Sequence, residues 1–103
     1  MSEKLVRNLI PMICDQNGDR REFRVADPDE MDALLRAKVL EEADETAHAE
    51  TRDDLVSELA DLMEAARALA ELNGISADEV ESRRHFRAHT RGLFSQRLVM
   101  KNP

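Results

Sequence analysis

The sequence predicts an all-α fold: an antiparallel helix hairpin plus a third helix, with a four-helix core completed by dimerisation. Three observations carry that prediction. Two helix-start signatures, Asp27-Pro28-Asp29-Glu30 and Ser76-Ala77-Asp78-Glu79, punctuate the chain, each an N-cap followed by a capping-box acid. Turn chemistry is scarce, with three Gly and three Pro, which argues against sandwiches and barrels. The 103 residues suffice for one domain, 1–103, yet cannot cover the Leu/Ala/Met face that such a hairpin exposes. A second copy is therefore expected as a partner.

The elements follow in order. Within residues 1–26, Pro11 interrupts any helix through Leu5–Ile13, and Asn17-Gly18 signals a turn. Glu22–Ala26 alternates like a short strand, and Phe94–Met100 alternates weakly, so a small two-stranded ribbon from the termini is expected. The first long helix should span roughly 28–49. Thr51 with Asp54 opens the second, roughly 52–73, which Asn73-Gly74 stops. Ser76 caps the third, roughly 77–91, with Ile75 and Val80 placed to staple it. Short loops make the first two helices antiparallel neighbours.

Charge narrows the function. The net charge is −7, but residues 27–81 carry 4 basic and 18 acidic groups, and residues 82–103 carry six basic and no acidic groups. Such an acidic middle repels phosphate polymers, and three Phe without Trp or Tyr offer little for base stacking; a nucleic-acid partner is not expected. An acidic centre with a basic flank suits a metal–phosphate ligand instead. Cys14 is the single cysteine, so no disulfide forms within the chain and a reducing compartment is expected. The start Met1-Ser2-Glu3-Lys4 lacks a signal peptide's apolar run, and no stretch has the length of a membrane span. The expected localisation is cytoplasmic, with no membrane partner.

The carboxylates are the informative feature. On a helical wheel centred on Leu35, Glu42 falls at about −20°, inside the apolar arc, and Glu45 at about −80°, on its margin. On a second wheel centred on Leu55, Glu58 falls at about −60° and Asp61 at about −120°. Each helix thus turns an i,i+3 acidic pair toward the face it should bury. Four facing carboxylates are untenable as bare anions; either their pKa values rise or cations neutralise them. Hard divalent ions prefer oxygen ligands, and Mg²⁺ usually also binds substrate phosphates, so the hairpin frames one to three Mg²⁺, with Mn²⁺ as a substitute. The competing reading is a set of solvated surface acids. Glu45-x-x-His48 also matches the spacing of di-iron bundles, but occurs once where two copies are needed. Met12, Met31, Met63 and Met100 read as gap-filling core.

Arg83, Arg84, Arg87, Arg91 and Arg97 follow the acidic hairpin. They suit either a helix C-terminus or a phosphate clamp. Lys4 and Arg7 form a second basic locus, and Lys38 lies one turn before Glu42.

The Glu-x-x-Glu and Glu-x-x-Asp pairs on consecutive helices resemble the MazG-like all-α nucleoside triphosphate pyrophosphohydrolases, a superfamily that includes phosphoribosyl-ATP pyrophosphohydrolase. The opening Lys4-Leu5-Val6-Arg7-Asn8-Leu9-Ile10-Pro11 resembles the Lys-Leu-Val-Arg-Asp-Lys-Ile-Pro of one compact branch, and Arg91-Gly92-Leu93-Phe94 resembles its Arg-Gly-Gly-Phe. The resemblance covers nearly the whole chain, departing at Asn8, Leu9 and Leu93, and at Arg87, where the branch often has Lys. It implies that Glu42, Glu45, Glu58 and Asp61 hold Mg²⁺. Glu41 would orient or deprotonate water, and Lys38 matches a basic residue preceding the motif. Lys4, Arg7, Arg87 and Arg91 would contact phosphates. The implied partners are a nucleotide substrate and further copies of the chain, as dimer or tetramer. The implied reaction is hydrolysis between the α and β phosphates, giving a monophosphate and pyrophosphate. Two biological versions compete: clearance of aberrant nucleotides, which the Lys-Leu-Val-Arg opening favours, and the histidine-pathway step on phosphoribosyl-ATP. A non-catalytic acidic module binding a basic partner is the alternative from another class.

Overall fold

The computed structural model describes residues 3–103. Met1 and Ser2, the first residues of the start discussed above, lie outside the described residues. The elements are α1 (Ile10–Gln16), a 3-10 turn (Pro28–Glu30) running into α2 (Met31–Ala47), α3 (Arg52–Leu72) and α4 (Ala77–Arg91). The described residues are helical and irregular, with no strand.

Local chemistry accounts for each boundary. The Glu30 carboxylate accepts the Asp27 backbone N–H at 2.8 Å, closing the box that starts the 3-10 turn. The Thr51 hydroxyl accepts the Asp54 N–H at 3.0 Å, and the Ser76 hydroxyl accepts the Glu79 N–H at 3.1 Å. α3 ends with Gly74 in the left-handed region at φ 70°, where a side chain would be strained. The reversal lets Ile75 N–H donate to the Ala70 carbonyl at 2.9 Å and Gly74 N–H to that of Glu71 at 3.1 Å. α2 stops at Ala47 rather than 49, with His48 as its C-cap.

Near the termini one expectation holds and one is corrected. No helix runs through Leu5–Ile13; α1 begins only at Ile10, with Pro11 in its first turn, where its missing N–H costs nothing. The terminal ribbon does not form in this chain. Val25 is 95 % exposed and Phe94 100 % exposed, so neither alternating segment has a strand to pair with. Phe94 to Arg97 closes a turn instead, Arg97 N–H donating to the Phe94 carbonyl at 3.1 Å.

The α2–α3 hairpin forms the body. Leu35 on α2 and Ala65 on α3 are the buried apolar residues, joined by one buried acid, Glu42. Met12, Met63 and Met100, expected as core, are exposed, because the faces they occupy have nothing against them in a single chain. The radius of gyration is 17.2 Å, where a compact chain of this length gives about 13 Å. The accessible surface is 9470 Å², where a compact protein of 11.7 kDa exposes about 5,900 Å².

The N-terminal segment is held on the hairpin by side chains. Leu5 and Val6 are half-buried. Arg24 brackets Glu3 at 2.9 Å and Glu30 at 2.8 Å, tying the strap to the start of α2. The guanidinium and the Asp27 N–H together hold the Glu30 carboxyl down at about 2.

Candidate metal centre and phosphate site

The hairpin brings acids of both helices to one point. Glu42 projects from α2 and is buried; Glu58 and Asp61 project from α3 and are half-buried. Each offers a carboxylate oxygen within 4.8 Å of the others. The helices are pinned at this level by Thr46, whose hydroxyl lies 2.7 Å from the Glu42 carbonyl and 3.3 Å from that of Glu58. Sequence reading missed this bridge. Its signal was a hydroxyl one turn beyond Glu42, the spacing of back-bonding to the i−4 carbonyl.

The electrostatics of the cluster call for a cation. Glu42 Oε2 and Glu58 Oε2 are buried and have no hydrogen-bond partner. Burial pushes the Glu42 carboxyl above its ordinary range despite Lys38, with Glu45 and Asp61 adding like charge. Glu45 is exposed and outside the three-carboxylate group, but it faces Glu58, and that contact with partial burial raises it too. Unpartnered, closely spaced carboxylate oxygens on two rigid helices are the donor set of a hard divalent ion. The residues present fit such an ion.

A ring of paired charges surrounds the cluster. Lys38 Nζ lies 3.1 Å from Glu41 and 3.3 Å from Glu42. Burial pulls the Lys38 ammonium down, but the two carboxylates outweigh it and hold it above its ordinary value. Burial pushes Glu41 up, but Lys38 and Lys4 hold it below the ordinary value, so Glu41 stays ionised. Lys4 reaches Glu41 at 3.3 Å, and Arg7 reaches Asp61 at 2.9 Å. Between strap and hairpin lies a cleft of about 310 Å³, bounded by Val6, Asn8, Leu35, Lys38, Glu42 and Asp61 among others. Arg87 and Arg91 are exposed on α4 and, among the described residues, pair with no acid. His48 caps its own helix, its Nδ1 2.8 Å from the Asp44 carbonyl, so the Glu-x-x-His spacing is spent locally.

The profile of the phosphoribosyl-ATP pyrophosphohydrolase family matches residues 6–88, which include both acidic pairs and most of α4. The chain belongs to this family. That family lies in the MazG-like all-α superfamily, and its characteristic activity is pyrophosphohydrolysis, the hydrolysis of phosphoric anhydride bonds. Such enzymes typically depend on a divalent metal, with which the acidic cluster is compatible. A histidine biosynthesis trifunctional protein of Komagataella pastoris is 44 % identical over 50 residues, a match spanning 48 % of this chain and 6 % of that protein. No solved structure matches the chain at the same stringency. Among the described residues, no helix is long and apolar enough to cross a membrane.

Proposed function

We propose that the chain hydrolyses the α–β phosphoanhydride bond of a nucleoside triphosphate or related nucleotide, releasing a monophosphate and pyrophosphate. The observation that carries this reading is the pair of buried, unpartnered oxygens of Glu42 and Glu58 beside Asp61. Glu42, Glu58 and Asp61, with Glu45 at their margin, would hold Mg²⁺, or Mn²⁺ in its place. When bound, the ion neutralises phosphate charge and acidifies the attacking water. Glu41 is kept ionised by Lys38 and Lys4, so it can accept that water's proton. Lys38 orients Glu41 and Glu42. Lys4 and Arg7, at the rim of the cluster, and Arg87 and Arg91, on α4, face the phosphates and stabilise charge on departing pyrophosphate.

Two substrates have support. The Lys4-Leu5-Val6-Arg7 opening favours removal of aberrant nucleotides, whereas the family match and the histidine-biosynthesis relative favour phosphoribosyl-ATP. Both carry the same triphosphate chain, and both suit a cytoplasmic enzyme. Pyrophosphate release from a panel of ribo- and deoxynucleotides plus phosphoribosyl-ATP, with and without Mg²⁺, tests the reading. A preference of at least tenfold in kcat/KM names the substrate. No release from any of them overturns the reading in favour of a non-catalytic acidic module.

The working form is a homodimer whose two hairpins build a four-helix core. The surface excess over a compact chain of this mass, about 3,600 Å², has the scale of an obligate interface. Pairing of two such dimers would give the tetramer.

A further inference from the structure

Among the described residues, the ion pairs that hold the N-terminal strap differ in what becomes of them when the site is loaded. Lys4 pairs with Glu41 at 3.3 Å and Arg7 with Asp61 at 2.9 Å. Both acids belong to the candidate site, and both cations are those that would face the phosphates. A divalent ion at Asp61 and a phosphate chain at Lys4 and Arg7 draw these pairs apart. The pair between Glu3 and Arg24 involves no site residue, so loading leaves it intact.

Little else fastens the strap. Among the described residues, no backbone hydrogen bond joins residues 3–9 to the hairpin, and α1 packs closely on no other element. Leu5 and Val6 are only half-buried. Arg24, by contrast, is fixed from the hairpin side. Its Nη1 and Nη2 donate to the Glu30 carboxylate at 2.9 and 2.8 Å, and its Nε and Nη2 donate to Glu3 at 3.2 and 2.9 Å. Glu30 also accepts the Asp27 N–H at 2.8 Å, so its carboxylate cannot swing away without undoing the box that leads into α2. A planar guanidinium that grips a carboxylate with two donors sets direction as well as distance. The contacts thus run from the start of α2 through Glu30 and Arg24 to Glu3, the neighbour of Lys4.

We infer that Arg24 is a positioning residue of the hydrolytic site: it keeps Lys4 and Arg7 over the carboxylates after their own pairs with Glu41 and Asp61 have opened. The phosphates then meet cations already in place, and the ordering of the strap is not charged against substrate binding. Arg24 touches neither metal nor substrate and acts through Glu3. This rests on the hydrolase reading above and assigns what holds its N-terminal cations.

The test separates positioning of the strap from support of α2. R24A removes the clamp, whereas E3Q breaks only its strap side and leaves Arg24 on Glu30. The Glu3 side chain is 70 % exposed and that of Arg24 49 %, and such pairs add little stability, so both variants should keep wild-type helicity and nearly the wild-type melting temperature. Trypsin reports the strap directly, because cleavage after Lys4 and Arg7 requires the segment to come off the hairpin. In Mg²⁺, where Arg7 gives up Asp61, both variants should be cut there about threefold faster than wild type or more. Without Mg²⁺ the difference should shrink, because the pairs of Lys4 and Arg7 still hold. In turnover, KM for the nucleotide should rise about fivefold or more while kcat falls by no more than about half, since bound phosphate recaptures the strap at saturation. K4A/R7A lacks the cations that Arg24 positions, so adding R24A to it should change kcat/KM by less than about twofold. Equal cleavage of wild type and both variants in Mg²⁺ overturns the inference. So does a full further loss when R24A is added to K4A/R7A, the behaviour of a residue that only supports the start of α2. A failure of the parent reading looks different: wild type releases no pyrophosphate from any nucleotide, Mg²⁺ leaves its cleavage and melting unchanged, and the inference falls with it.

Discussion

Arg7 donates to Asp61 at 2.9 Å across 54 positions of sequence, and Asp61 is one of the three carboxylates that converge on the candidate metal centre. A guanidinium on the N-terminal strap thus neutralises an oxygen that a divalent ion would also seek. The strap and the cation compete for the same acid, and the strap walls the cleft beside it. Metal loading and the position of Arg7 are therefore coupled.

Replacing Arg7 with Ala should separate two effects. The pair is exposed on both sides, and such pairs contribute about 1 kcal/mol at most, so the melting temperature should fall only slightly. With its competitor gone, Asp61 should be more available, and the midpoint of Mg²⁺-induced thermal stabilisation should move to lower concentration. On the phosphate role proposed for Arg7, the KM for the nucleotide should also rise. A weaker Mg²⁺ midpoint in R7A would show instead that Arg7 organises Asp61 for the ion.

Glu42→Gln should nearly abolish turnover while leaving the helical fold. Glu42 is buried with one oxygen unpartnered, so its charge is a cost that only a cation offsets. On the proposed reading Mg²⁺ binds the folded state alone, so it should stabilise that state by mass action, and E42Q should blunt the rise. The metal-free variant should melt higher than metal-free wild type. Thermal unfolding with and without Mg²⁺ checks both signs, and unchanged Mg²⁺ stabilisation with unchanged turnover would remove Glu42 from the site.

The pH profile of the metal-free protein follows from opposite shifts. Glu42 and Glu45 are raised above the ordinary 4.5, so near that pH the folded state holds more protons than the unfolded one. Stability from these two therefore declines as pH rises from about 4.5 through their raised values. Glu30, held at about 2, and Glu3, also depressed, act the other way. Their contribution is present above 4.5 and is lost as pH falls toward 2. Metal-free protein should thus be most stable on the acid side of neutrality, and E42Q should flatten the decline above that optimum. Denaturant midpoints across pH 3 to 8 measure it; an optimum at or above neutrality would contradict the shifts at the cluster.

What could be read from residues alone was set by local chemistry. Thr51, Ser76 and Asn73-Gly74 act within a few positions, and the structure places α3 and α4 within a residue of the boundaries they announced. Helical periodicity also anticipated that Glu42 is the acid turned inward while Glu45 stays on the margin. Alternation misled at Glu22–Ala26 and Phe94–Met100, because a strand depends on a neighbour that no short pattern supplies. Lys4 and Arg7 were legible as basic, but not as partners of Glu41 and Asp61. Those pairs depend on how the strap crosses the hairpin, and nothing local encodes it. The exposed methionines mark the same limit, since hydrophobicity says that a face is to be buried but not by what.

Met63 tests what covers the open face. It is 72 % exposed on α3 and lines the groove between α3 and α4. If the chain acted alone, Met63→Asp would be a surface change, with a stability effect within about 0.5 kcal/mol and no effect on mass. If two hairpins build one four-helix core, Met63 lies in it, and an unpaired carboxylate there costs several times as much. Wild-type protein should have the mass of a dimer by light scattering at micromolar concentration, with a melting temperature that rises with concentration. M63D should shift toward monomer, melt lower and lose turnover, while M63L should keep the dimer and most of the activity. Leu35→Ala provides the contrast. Leu35 is buried within each hairpin, so its loss should cost about 2–5 kcal/mol, chiefly as unfolding of the hairpin itself. Wild type running as a monomer with cooperative unfolding, and M63D indistinguishable from it, would sink the shared core.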